Sequence, residues 1–73
     1  MNVEKGDIFE HKSEDMRLKV KEIRVNEFGV VAECLILSSE NPVFTVGQTA
    51  TFQKTTITYY FEKKRLNNNI RRV

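Results

Sequence analysis

Residues 16–37 read MRLKVKEIRVNEFGVVAECLIL, and the register of their apolar positions decides the fold. Met16, Leu18 and Val20 alternate with polar neighbours, which places them on one face of an extended strand. Ile23 and Val25 continue the apolar series with its phase shifted by one residue. A period-two pattern survives an odd step only where one extra residue is accommodated, so the stretch predicts a β-bulge near Lys21 and Glu22 that bends and coils the strand. Asn26-Glu27-Phe28-Gly29 then reads as a tight hairpin turn, with Asn26 opening it and Gly29 supplying the positive φ that closes it. The return strand sets Val30, Ala32, Cys34 and Ile36 on one face. Its other face, Val31, Glu33, Leu35 and Leu37, is too apolar to be wholly wet, so this strand is expected at the centre of a sheet with core on both sides at its far end.

Strand signals continue on either side of the hairpin. Upstream, KGDIFEHK (5–12) gives a Gly-Asp turn and a short strand around Ile8 to His11, joined to the hairpin by the polar residues 13–15. Downstream, SSENP (38–42) is a break, because Pro42 has no amide to donate. Residues 43–61 read as strand, a turn at Gly47, strand through Phe52, a polar turn from Gln53 to Thr56 and a last short strand around Tyr59 to Phe61. Six threonines between Thr45 and Thr58 favour extended backbone there. The competing reading of TTITYYFEKKRL (55–66) is a helical turn capped by Thr55 or Thr56, with Ile57, Tyr60 and Phe61 at helical spacing. Taken together, the pattern predicts an all-β fold: a single small five-stranded barrel over residues 1–62 with a bulged second strand, and a flexible basic tail over 63–73.

The layout resembles the Src-homology-three-like small barrels, the loose group that includes Tudor-like and KOW-like modules. The likeness is carried by the opening KGDIF (5–9), the long central hairpin RLKVKEIRVNEFGVVAECLIL (17–37) and the closing VGQTATFQKTTITYYF (46–61), where a short turn separates the last two strands. It covers most of the chain, from about Lys5 to Phe61. The resemblance implies a binding module for proteins or nucleic acids and brings no functional residue with it.

At 73 residues the chain has room for one core, and such a domain hides only about 60% of its unfolded surface. Its hydrophobic fraction of 40% is too high for a disordered chain, and its longest near-continuous apolar run, Val30 to Leu37, is too short to cross a bilayer. MNVEKGDIFE (1–10) has no apolar signal-peptide core, so a cytoplasmic protein is expected. Cys34 is the sole cysteine, can form no internal disulfide, and sits in an apolar strand where a thiol packs as a small hydrophobe.

Catalysis finds little support. His11 is the lone histidine, flanked by Glu10 and Lys12, and general-base chemistry there would need a serine or cysteine converging from a distant strand. Glu14 and Asp15 are neighbours in a loop and point apart. Asp7, Glu10, His11 and Glu14 match no loop of known metal geometry, so neither metal nor cofactor is expected. The charge is unevenly spread: residues 1–62 carry seven Lys or Arg against ten Asp or Glu, net −3, whereas 63–73 carry five basic residues and no acidic one. An acidic body argues against a dedicated nucleic-acid binder, which is expected to show a basic face on its folded part.

The expectation is therefore a non-enzymatic binding module for a protein partner, an accessory or inhibitory factor acting through a strand edge or an aromatic loop patch, with a second copy of the chain as a further candidate partner. Phe28 at the hairpin tip, Phe44 beside the 38–42 break, and Tyr59 and Tyr60, of which a strand can turn only one inward, are the candidate contact residues. Phe9, Phe52 and Phe61 read as core. The alternative is a nucleic-acid-binding module in which Lys63, Lys64, Arg65, Arg71 and Arg72 hold phosphates and an exposed tyrosine stacks on a base.

Overall fold

A computed structural model describes residues 2–64. The chain runs β1 (Ile8–His11), β2 (Met16–Asn26), β3 (Gly29–Ser39), β4 (Thr49–Gln53), α1 (Lys54–Tyr60) and β5 (Phe61–Lys64). The strands form one antiparallel sheet in the order β4-β3-β2-β1-β5. The fold is thus mostly strand, with one short helix.

The expected phase shift in β2 is present. Val20 faces Cys34 and Glu22 faces Glu33, leaving Lys21 as the extra residue of a bulge. A second irregularity lies between Arg17 and Leu18, which face Ser38 and Ile36. The first bulge is held from the amino end: Gly6 donates its amide to the Val20 carbonyl at 2.8 Å, and the Val20 amide donates to the Asp7 carbonyl at 2.8 Å. Gly6 adopts φ 92°, a region that costs other residues, so a glycine suits this turn.

Phe9, Met16, Leu18, Val20, Ala32, Cys34, Ile36, Ile57 and Phe61 form one buried cluster, with Ile23, Phe44, Ala50 and Phe52 packed against it. Two residues assigned to the core face by alternation lie outside it. Val25 is 78% exposed and Val30 38%, because the β2–β3 hairpin runs past the rest of the described body and its tip packs on none of those residues. On the second face of β3, Val31 is buried, whereas Leu35 and Leu37 at the far end are only half-buried.

Two further expectations are corrected. Residues 43–46 form turns instead of a strand: Asn41 Oδ1 accepts the Val43 amide at 2.9 Å and the Asn41 carbonyl accepts the Phe44 amide at 3.0 Å, so the donors a ladder would need are used locally. Residues 54–60 are helical, the reading that the threonines argued against. A helix of seven residues with no side-chain cap does not hold by propensity. Ile57, buried in the core, and Lys12, whose amide donates to the Tyr60 carbonyl at 2.9 Å and whose Nζ donates to the Tyr59 carbonyl at 3.1 Å, hold it in place. The last strand accordingly starts at Phe61 and runs to Lys64, past the boundary drawn at residue 62.

No hydrogen-bonded ladder joins β4 to β5 among the described residues, so the sheet is not closed by backbone pairing. Its edges nevertheless lie near each other. A flat five-stranded sheet would hold its edge strands about 19 Å apart. Here β4 and β5 are linked by α1 alone, seven residues that span about 10 Å as a helix. The Phe52 and Phe61 rings meet across the gap with centroids 6.2 Å apart.

Charge also ties β1 to both neighbours. Glu10 places Oε1 3.3 Å from Lys64 Nζ on β5 and Oε2 3.2 Å from Arg17 Nε on β2, and Asp7 pairs with Lys63 at 3.1 Å. The hydrogen bond from Lys64, then that from Arg17, lowers the Glu10 carboxyl below its ordinary 4.5. A carboxyl lowered by folding adds stability above its unfolded value, and that stability is lost as pH falls through the folded one. Glu10→Gln is therefore expected to melt below the parent at neutral pH and together with it well below pH 4.5, as thermal melts across that range would record.

Candidate partner-binding groove

Rings from five separate elements converge beside the β4–α1–β5 seam. Tyr59 and Tyr60 end α1 and meet edge to face with centroids 4.7 Å apart. Tyr60 stacks on His11 of β1 at 6.0 Å, and His11 meets the Phe61 edge at 4.9 Å. Phe61 adjoins Phe52 of β4, which contacts Phe44 from the β3–β4 connection at 5.6 Å. The result is an unbroken row, Tyr59–Tyr60–His11–Phe61–Phe52–Phe44. It borders an open hollow of about 200 Å³ whose floor is Met16 and Phe61 and whose rim carries Glu14, Asn41 and Thr56.

Local chemistry holds the walls. The Asn41 turn and the mutual bonds of Thr45 and Gln48, amide to Oε1 and amide to carbonyl at 3.0 Å each, fix the loop that carries Phe44. His11 Nδ1 accepts amides from Ser13 at 3.1 Å and Glu14 at 3.0 Å, so the neutral ring keeps its proton on Nε2. The ring therefore braces the β1–β2 turn while its face meets Tyr60 and its edge Phe61.

Of the sequence-derived contact residues, Phe44 and Tyr60 line the hollow and Tyr59 extends the row. A strand would turn one tyrosine inward; at the end of α1 both face out, Tyr59 71% and Tyr60 50% exposed. Phe28 is elsewhere. It is 73% exposed at the tip of the β2–β3 hairpin, with its amide donated to Asn26 Oδ1 at 2.8 Å. Met16 faces Ser39 at one end of that hairpin and Asn26 faces Gly29 at the other, so the tip and the hollow are a full hairpin length apart. Phe52 and Phe61, which the sequence assigned to the core, and His11 complete the wall.

The phosphate-binding candidates divide. Lys63 and Lys64 sit in β5, where their ammonium groups are in ion pairs with Asp7 and Glu10. Arg65, Arg71 and Arg72 lie outside the described residues. Asp7 and Glu10, considered above as metal ligands, are turned to these lysines and to Arg17. No helix among the described residues is long and apolar enough to cross a membrane.

Fold and groove together define a small, mostly-strand domain with one core, one short helix and an aromatic-walled hollow at the edge of its sheet. No protein-family model, no curated protein and no solved structure matches the chain.

Proposed function

We propose that this chain is a non-enzymatic binding module that takes an apolar or aromatic residue of a protein partner into the hollow between Phe44 and Tyr60. The observation that carries this reading is the unbroken six-ring row around an open depression. Two of the rings, Tyr59 and Tyr60, stay exposed beside partly buried ones, and an aromatic depression with a polar rim is the usual form of an interface anchor site. The partner's backbone would run along the rim, where Asn41, Thr56 and Glu14 offer donors and acceptors. We read the sheet as a Src-homology-three-like drum whose seam is closed by side chains, on the support of its strand order and the short span of α1.

A displayed random-peptide library panned on the intact chain tests this. Selected peptides should share an apolar or aromatic position, shift the resonances of His11, Phe44, Phe52 and Tyr60, and bind Tyr60→Ala about tenfold more weakly or worse, the loss expected for an interface anchor. Tyr60 is half exposed, so its truncation leaves the core intact. Selected peptides that map to another face, or that ignore the substitution, would overturn the assignment.

A further inference from the structure

A second concave surface lies on the outer side of β2 and β3, and it shares no residue with the aromatic hollow. Lys5, Lys19, Lys21 and Arg24 surround a shallow groove of about 800 Å³ whose lining also includes Glu22 and Glu33. Four cations against two carboxylates make the groove net +2. Residues 2–64 as a whole hold nine basic and ten acidic residues, net −1, so the rest of the body is net −3 and the positive charge is concentrated here.

The bulge creates this concentration. In an unbroken strand Lys19 and Lys21 would share the outer face and Glu22 would turn inward. With Lys21 as the extra residue, Glu22 returns to the outer face opposite Glu33, Ile23 turns inward half-buried, and Arg24 points outward again. Three cations thereby fall within six residues of one strand face. Their pairing is also distinctive. Among the described residues, Lys5, Arg17, Lys63 and Lys64 are in ion pairs and Lys12 is bonded to the Tyr59 carbonyl. Lys19, Lys21 and Arg24 have no carboxylate within 4.0 Å among the described residues; the same holds for Lys54 at the start of α1, but these three share one groove. A domain with a surplus of carboxylates that leaves three cations uncommitted along one groove has a surface complementary to an anionic chain.

We infer that the groove holds the sugar-phosphate backbone of a single-stranded nucleic acid, with Lys19, Lys21 and Arg24 each meeting a phosphate. The three cations follow one strand, a line that suits one backbone better than the two of a duplex. Lys19 and Lys21, about 7 Å apart along an extended chain, can reach successive phosphates. A concave face suits a flexible chain and opposes a flat lipid surface. Glu22, which falls between Lys21 and Arg24 on this face, is paired with Lys5 at 3.5 Å, so the line of cations keeps its positive charge there. The hairpin continues from Arg24 to Phe28, whose exposed ring at the tip is open to stack on a base.

The test uses the full chain and labelled oligo(U) and oligo(dT) of about twelve nucleotides, within the range of small single-strand binding sites. Three phosphate contacts predict a slope of log affinity against log salt of about −2, hence binding about twentyfold weaker at 200 mM than at 50 mM salt. The triple variant Lys19→Gln, Lys21→Gln, Arg24→Gln, exposed throughout and checked for folding by its melt, should lose that slope and bind at least tenfold more weakly at the lower salt. Tyr60→Ala should bind as the parent does, which separates this site from the aromatic hollow. An unchanged triple variant, or no retention by the parent at the lower salt, overturns the inference. Duplex DNA bound as tightly overturns the single-strand assignment, and polyglutamate bound as tightly replaces nucleic acid by an acidic peptide.

Discussion

Cys34→Asp is expected to unfold the domain. Cys34 has no solvent exposure, lies in the middle of β3 opposite Val20 and Ala50, and belongs to the single buried cluster. The site already resists negative charge: burial, with Glu33 adding to it, pushes the thiol up to about 11. A carboxylate forced into the same place has no basic partner and costs several kcal/mol, against a total stability of about 5 kcal/mol for a domain of this size. Far-ultraviolet spectra and amide dispersion at neutral pH should both report an unfolded chain. Cys34→Ala, which removes little volume and adds no polar group, should remain folded and show that the charge is responsible. A cooperative melt of Cys34→Asp matching the parent would mean that β3 presents its other face to the core.

The second large effect is expected at Ile57. It is the one buried residue of α1, and α1 links the two edges of the sheet. Truncating a buried isoleucine costs about 2–5 kcal/mol, and here the loss falls on a helix too short to persist unaided. Ile57→Ala should lower stability by about 3 kcal/mol in denaturant titrations and speed amide exchange across Lys54–Tyr60 ahead of exchange in β2 and β3. Ile57→Val, which keeps most of the volume, should cost about 1 kcal/mol. Because Tyr59 and Tyr60 are carried by the same helix, Ile57→Ala should also weaken any peptide selected on the groove. Unchanged exchange in α1 would show that Lys12 alone anchors the helix.

The sheet's central features were open to sequence reasoning because the side-chain period of a strand is two and leaves little latitude. Met16, Leu18 and Val20 had to share a face, and the step to Ile23 had to be absorbed by a bulge, which is where the register shifts. Gly29 closes the hairpin with φ 111° as the turn demanded. Alternation does not record where the rest of the protein ends, so Val25 and Val30 were assigned to a core that the hairpin outruns. At residues 54–60 the competing helical reading prevails for a related reason. Threonine propensity is a weak local preference, and a long-range contact at Ile57 with two bonds from Lys12 outweighs it.

The candidate sites were less visible still. Phe44 and Tyr60 could be suspected from their positions, but the row that joins them draws on His11, Phe52 and Phe61, which are up to fifty residues apart and meet only because β5 returns beside β1. The basic groove was hidden by summation. A net charge of −3 over residues 1–62 is a sum, and a sum carries no direction; the bulge at Lys21 and the ion pairs on β1 distribute that charge into a positive groove and an acidic remainder.

By itself the amino-acid order determined the long β2–β3 hairpin, its bulge, its turn and the burial of Cys34, since each follows from backbone geometry acting over a few neighbouring residues. Only the tertiary structure decided where the sheet's edges approach, which rings stand together and which cations remain uncommitted. Those outcomes depend on contacts between residues remote in the chain, and no local preference encodes them.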